Sequence, residues 1–232
     1  MPDNLFIPSV DLRIGSLEEY NRKQKEKPFA KRQKPRPCIT ISREYGCTGY
    51  PAAGLLRELL MQRSGEEWVM IDKDILEEVA RRHNLSQEIL RNLGSDNRIL
   101  DEILATFSPR WKTNYEYFTL LSSHIVALAE QGNVIIVEMG GAVITSHIEN
   151  SHHFRIYGSE SFKVSSIASR LVIEAEAAEK LMHRKQKARD NFTKDFLNRE
   201  GNDPALYDLT FNNDRCPEDK IAGVIADWVL PQ

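Results

Sequence analysis

The segment Ile39-Thr40-Ile41-Ser42-Arg43-Glu44-Tyr45-Gly46-Cys47-Thr48-Gly49-Tyr50-Pro51 sets a short β-branched run ahead of two spaced glycines and a proline suited to a first helical turn. A strand that turns through glycines into a helix N-terminus is a physical recipe for holding phosphate. Glycine lets the backbone approach closely, and the first helical N–H groups have no partner inside the helix. Ser42, Gly46, Cys47, Thr48, Gly49 and Tyr50 are therefore candidate phosphate- or nucleotide-binding positions. The chemistry is less complete than the geometry. A working phosphate loop carries a lysine that reaches the β- and γ-phosphates and a Ser or Thr that holds Mg²⁺, whereas Tyr50 and Pro51 follow Gly49 here. A tight strand-to-helix turn without a ligand is the alternative reading of the same residues.

Positive charge for such a site has three candidate sources. Arg43 lies in the loop itself, and Arg184 and Arg189 lie in a charged stretch from Ser161 to Arg199, with Arg189 the best placed. Arg189 can equally be an exposed helix charge paired with Asp190 or Glu200. Glu138 directly follows Val134-Ile135-Ile136-Val137, where P-loop proteins place an acidic group near Mg²⁺, and a structural role is its alternative. Arg43, Arg189 and Glu138 are thus the candidate catalytic residues. Asp72, after Trp68-Val69-Met70-Ile71, can bond an acceptor ribose or base, or simply cap the next helix.

No metal-ligand set is expected. His152-His153 precedes an expected strand with no Asp or Cys at metal-site spacing, so both read as surface residues, and His83, His124, His147 and His183 are isolated. Cys38, Cys47 and Cys216 are odd in number and widely spaced, which reads as three free thiols. Trp111, Tyr115, Tyr117 and Phe118 read as helix packing, although Arg110 and Trp111 after Pro109 could line an acceptor cleft.

The elements that must position these residues alternate along the chain. Expected strands are 38–41, 68–71, 134–137, 154–157 and 207–211. Between them, helices are expected over 51–63, from Asp72 through Ala80, over 86–107 and 114–131, within 161–199, and over 217–229. Short apolar strands separated by helices imply an α/β fold with a parallel five-stranded sheet flanked by helices. The stretch 161–199 is expected to be a long, charged helical region.

Residues 1–37 are expected to be a basic, Pro-containing N-terminal extension, with a short polar helix over 17–27, ahead of an α/β domain at 38–232. The 232-residue chain is 41% hydrophobic and 28% charged, too rich in core formers for general disorder. Its net charge of −3 conceals a segment, Arg22 to Arg36, that carries +7 and leaves −10 on the remainder. An acidic body argues against a dedicated nucleic-acid protein and favours docking of the extension on an acidic protein partner or a second copy. Phe6, Ile7, Leu12, Ile14 and Leu17 supply apolar anchors for that docking. Met1 to Val10 lacks the charge-then-apolar pattern of a signal peptide, and no run is long enough to span a membrane, so the expected address is cytoplasmic.

The run Ile39 to Gly46 resembles the Ile-x-Ile-Ser-Arg-Glu-Tyr/Phe-Gly opening of the cytidylate-kinase-like proteins. The resemblance continues at Met70-Ile71-Asp72, at Val134 to Val137, and at Tyr207-Asp208-Leu209 with Asn212, and it covers about residues 38–230. It implies a P-loop nucleoside-monophosphate-kinase fold with a helical lid region at 161–199, ATP as donor, a nucleoside monophosphate as acceptor and Mg²⁺ as cofactor. Two departures weaken the kinase chemistry it implies. Tyr50 stands where the family tends to carry Arg after its glycines, and Glu138-Met139-Gly140-Gly141 stands where it shows Gly-Arg. Because phosphoryl transfer depends on cationic stabilisation, two readings follow. One is a non-catalytic or weakly active kinase-fold subunit that binds a protein partner and possible nucleotide, with no required cofactor. The other is an active ATP- and Mg²⁺-dependent CMP-type kinase in which Arg43 or Arg189 replaces the missing cation.

Overall fold

The computed structural model describes residues 36–72, 112–138 and 140–230, excepting the side chains of 112–117, 119 and 120. The core is a sheet of β1 (Cys38–Arg43), β2 (Val69–Ile71), β3 (Val134–Val137), β4 (Ser151–Tyr157) and β5 (Leu209–Asn212). Every pairing is parallel and the spatial order is β2-β3-β1-β4-β5. The helices among the described residues are α1 (Gly49–Ser64), α2 (Lys112–Gln131), α3 (Gly141–Ile144), α4 (Glu160–Leu171), α5 (Ala175–Leu197) and α6 (Glu218–Val229).

The period-two alternation of a strand divides this core into two layers. Ile39, Ile41, Ile135, Val137, Phe154 and Ile156 face α1 and α6, where Leu56, Leu60, Ile221 and Ile225 meet them. Cys38, Val134 and Ile136 face the other way, toward Phe118, Leu121 and Ile125 of α2 and Ile144 of α3. Both faces are covered, which is why β1 and β3 read as continuous apolar runs.

Three expectations change in detail. β4 begins at Ser151, so His152 and His153 lie within a strand and are half-buried; His153 Nδ1 is 2.9 Å from Thr40 Oγ1 on β1. The charged stretch 161–199 is two helices, broken where Val172 takes φ 54°, rare for a β-branched side chain. α3 was not anticipated. The helices expected over 72–80 and 86–107, the polar helix at 17–27, and Arg110 with Trp111 lie outside the described residues. Among those described, no helix is long and apolar enough to cross a membrane.

Arg36 and Pro37, assigned to the extension from sequence, are tied into the body. The Arg36 carbonyl accepts from Asn150 Nδ2, its guanidinium lies 3.6 Å from Glu66, and the Pro37 carbonyl accepts from the Asn133 N–H at 2.7 Å. Asn133 is buried, so losing that acceptor strands a donor and costs about 1–3 kcal/mol. A chain lacking residues 1–37 should therefore melt roughly 5 °C below one lacking only 1–35, as read by circular dichroism. Equal melting temperatures would put the start of the body at Cys38.

Burial depresses the imidazole pKa of His124, and depresses those of His152 and His153 despite an opposing pull from Asp208. Below the ordinary value of 6.5 the unfolded chain takes up protons that these folded rings resist, so stability falls as pH drops through that range. Melting temperature should decline between about pH 7 and pH 5, ahead of general carboxylate titration. A flat profile over that window would mean that the three rings titrate normally.

Candidate functional site

In an open α/β sheet, ligands bind outside the carboxyl ends of the strands, where neighbouring connections diverge. Here β1 lies between β3 and β4, and its connection leads away to the edge strand β2. Arg43 ends β1, Glu138 follows β3, Gly158 and Ser159 follow β4, and Asn213 and Asp214 follow β5. The α4–α5 pair reaches these ends through Lys163, Arg170, Gln186 and Arg189.

The β1–α1 loop is built from these contacts. Gly46 has φ 104°, and a Cβ there would stand 2.7 Å from Lys163 Cβ, so glycine is required by both conformation and space. The Tyr45 N–H donates to Gln186 Oε1 at 2.8 Å and the Cys47 N–H to the Glu44 carbonyl at 3.1 Å. Thr48 donates its N–H and its hydroxyl to Asn213 Oδ1, at 2.8 and 2.9 Å. Its hydroxyl, spent there, does not cap α1. Two cations bond loop carbonyls: Arg43 Nη1 donates to Cys47 O at 3.2 Å and Arg170 Nη2 to Gly46 O at 3.0 Å.

Glu44 fastens the loop to its surroundings. Its carboxylate lies 2.7 Å from Lys163 Nζ and 3.4 Å from Arg155 Nη2, and it also accepts from the Gly158 N–H. Arg155 in turn donates to Gly201 O and stacks 5.7 Å from the Tyr207 ring centroid. Asp214 accepts from the Ser159 N–H and hydroxyl; those hydrogen bonds hold its carboxyl below the usual range. Ser159 also caps α4 by accepting from the Phe162 N–H.

At the centre, Glu138 Oε1 is 2.8 Å from Arg43 Nε and 2.8 Å from Arg189 Nη2. Arg189 also donates to the Arg43 carbonyl at 3.1 Å and sits 5.1 Å over the Tyr45 ring. Burial, partly opposed by Glu138 and reinforced by Arg43, lowers its pKa to about 10, so it stays charged at neutral pH. Glu138 holds φ 70°, a left-handed conformation that costs a non-glycine residue about 1–2 kcal/mol.

The structure thus brings Arg43, Glu138 and Arg189 together with Gly46, Cys47, Thr48 and Gly49, while Ser42 stays within β1 in register with Arg155. The alternative pairing of Arg189 with Asp190 or Glu200 is not formed: Gln186 bonds Asp190 and Lys194 pairs with Glu200. Tyr50, counted among the phosphate candidates, is only 6% exposed and packs in the core beneath α1, so a cation put there would enter the core. Arg184 is exposed on α5, and Asp72 follows β2, whose Ile71 is in register with Ile136 of β3. Cys47 is buried beneath the loop with its thiol pushed up to about 11, first by burial and then by Glu44, which leaves it protonated and inert at neutral pH.

Sequence reading missed Glu44, Lys163, Arg170, Gln186 and Asn213. A signal existed for two pairs: Lys163 and Arg170 are seven residues apart on one helix face, and Gln186 and Arg189 are three apart on another.

A family model described as the cytidylate kinase-like family matches residues 38–215. Among solved structures, an uncharacterized protein from Eubacterium ventriosum superposes with a TM-score of 0.62 at 18% identity, covering 85% of this chain and 99% of that one. At that identity it shows the fold alone. Looser likenesses are TT1252 from Thermus thermophilus (TM-score 0.43, 16% identity, 86% and 100% covered) and dephospho-CoA kinase from Campylobacter jejuni (0.35, 12%, 84% and 97%). No curated protein matches the sequence.

Asn213, 4% exposed, is the sole acceptor given to both Thr48 donors among the described residues, so Asn213→Ala strands two donors at the head of α1. The variant should lose about 2–3 kcal/mol in chemical denaturation, with loop amides exchanging faster. An unchanged midpoint would show that the loop holds its shape without this clamp.

Proposed function

Since the chain belongs to the cytidylate kinase-like family, we propose that the carboxyl edge of its sheet is a nucleotide-phosphate site that binds ligand but transfers phosphoryl groups slowly or not at all. One observation carries the reading: Arg43 and Arg189, the two candidate catalytic arginines, meet the same carboxylate oxygen of Glu138 at 2.8 Å. With Tyr50 in the core, no lysine follows the loop glycines. Phosphoryl transfer relies on positioning and on cations over the transferring group, and one supplied arginine is worth about 10³–10⁵ in rate. Arginines neutralised by a protein carboxylate give little of that stabilisation.

The residues do not fit a preformed Mg²⁺ site. A hard cation needs several oxygen ligands, yet Glu138 is covered by two guanidiniums and the Thr48 hydroxyl is given to Asn213. Mg²⁺ would enter as the counter-ion of ATP. The second reading, an active CMP-type kinase, is favoured by the same two arginines, which stand at the loop and would serve transfer if Glu138 released them.

The basic extension is the element that supports docking to a protein partner or a second copy, because the segment Arg22 to Arg36 carries +7 against −10 on the remainder. Docking of that kind belongs with a subunit role, for which a cytoplasmic address remains the matching expectation.

The test is calorimetric titration of the full chain with ATP·Mg²⁺ and with CMP, followed by a coupled phosphotransfer assay. Nucleotide should bind, with turnover below about 10⁻² s⁻¹, against the 1–100 s⁻¹ usual for kinases. Turnover in the usual range that vanishes in Arg189→Ala would establish the active reading. Absence of any nucleotide binding would remove the phosphate site altogether.

A further inference from the structure

Paired guanidiniums around one oxyanion oxygen are the arrangement by which proteins hold phosphates and carboxylates alike, because the planar donor fork suits both. Here the pair is Arg43 and Arg189, with side chains only 11% and 26% exposed, and the oxyanion is the protein's own Glu138. The cluster adjoins the glycine loop: Arg43 also bonds the Cys47 carbonyl, and Arg189 lies against Tyr45. Glu138 reaches this place from a left-handed backbone that a glutamate adopts at a cost. Glu138 also opens the turn into α3, where its carbonyl accepts from the Gly141 N–H at 3.1 Å.

We infer that Glu138 is an internal stand-in for a phosphate-type anion, and that the polyphosphate end of a ligand binds between Arg43 and Arg189 by displacing its carboxylate. The inference rests on the phosphate-site reading above and adds where the anion goes and what excludes weaker ones. Being tethered, the carboxylate competes at a high effective concentration, so singly charged anions are shut out. A polyphosphate succeeds because it brings several charges and several acceptor oxygens to the same two forks. Displacement also frees Arg189 from β3, which couples ligand arrival to the position of α5.

The probe is inorganic pyrophosphate in EDTA, titrated calorimetrically into the full chain, into Glu138→Gln and into Glu138→Gly. Glutamine keeps the shape without the charge, and glycine accepts a φ of 70° without strain. Both variants should bind pyrophosphate at least about tenfold more tightly than the parent, and adding Arg189→Ala to Glu138→Gln should abolish the gain. Equal or weaker binding by folded variants would overturn the inference, and so would failure of both to fold, since a carboxylate required for folding is no displaceable stand-in. A parallel titration of the parent with ATP·Mg²⁺ separates the two ideas. A pyrophosphate gain without ATP binding removes the nucleotide reading and keeps the stand-in; ATP binding without the gain does the reverse.

Discussion

Three separate pieces of chain meet at one carboxylate oxygen: the end of β1 through Arg43, the end of β3 through Glu138, and helix α5 through Arg189. A partly buried charge is tolerated only when matched, and removing one member of such a group is far more costly than never having built it. With two cations to one anion, the group holds a net positive charge that the loop carbonyls of Arg43 and Cys47 help to disperse. The placement of α5, the course of the glycine loop and the end of β3 are therefore set together. A change in any one of the three alters the electrostatic setting of the other two.

A second, parallel arrangement holds the other side of the loop. Glu44 gathers Lys163 from α4 and Arg155 from β4, while Asn213 after β5 takes both donors of Thr48. In a generic phosphate loop, backbone N–H groups stand open toward the ligand. In this chain those of Tyr45, Cys47 and Thr48 already have protein acceptors. The loop thus keeps the shape of a phosphate cradle while much of its donor capacity is committed internally. That combination is what separates family membership from an assumption of full kinase activity.

Much of the sheet could be read from sequence because its signal is local. Val134 to Val137 are apolar and β-branched at every position, and Cys38 to Ile41 are β-branched at three of four, which suits burial on both faces. β4 was placed three residues late because His152 and His153 look like surface residues, and the partners that hold them in the sheet are distant: β1 pairs with 151–156, and Asp208 takes the His153 N–H. At the site, Arg43, Glu138 and the glycines were legible from their positions at strand ends. Which cation pairs with which carboxylate was not. Arg189 reaches Glu138 across 51 positions by virtue of how α5 lies over the sheet, and no spacing rule encodes that. Tyr50 misled for a related reason: in a linear motif it fills a cation's slot, whereas in space it is a core side chain of α1.

α5 has 23 residues and so is about 35 Å long, with unequal attachment along its length. Toward its C-terminus Phe192 and Phe196 pack on each other and on Phe118, with ring centroids 5.1 to 5.8 Å apart, and Leu197 fills the space that Gly140 leaves open. Toward its N-terminus it holds mainly to α4, through Ala178 and Met182 beside Ile167. Arg189 lies one turn from this aromatic anchor, while Arg170, two residues before the tip at Val172, is bonded to the Gly46 carbonyl at 3.0 Å. The hairpin is therefore a strut pinned at both ends, and a change at the Glu138 carboxylate acts on a braced element and not on a free tip.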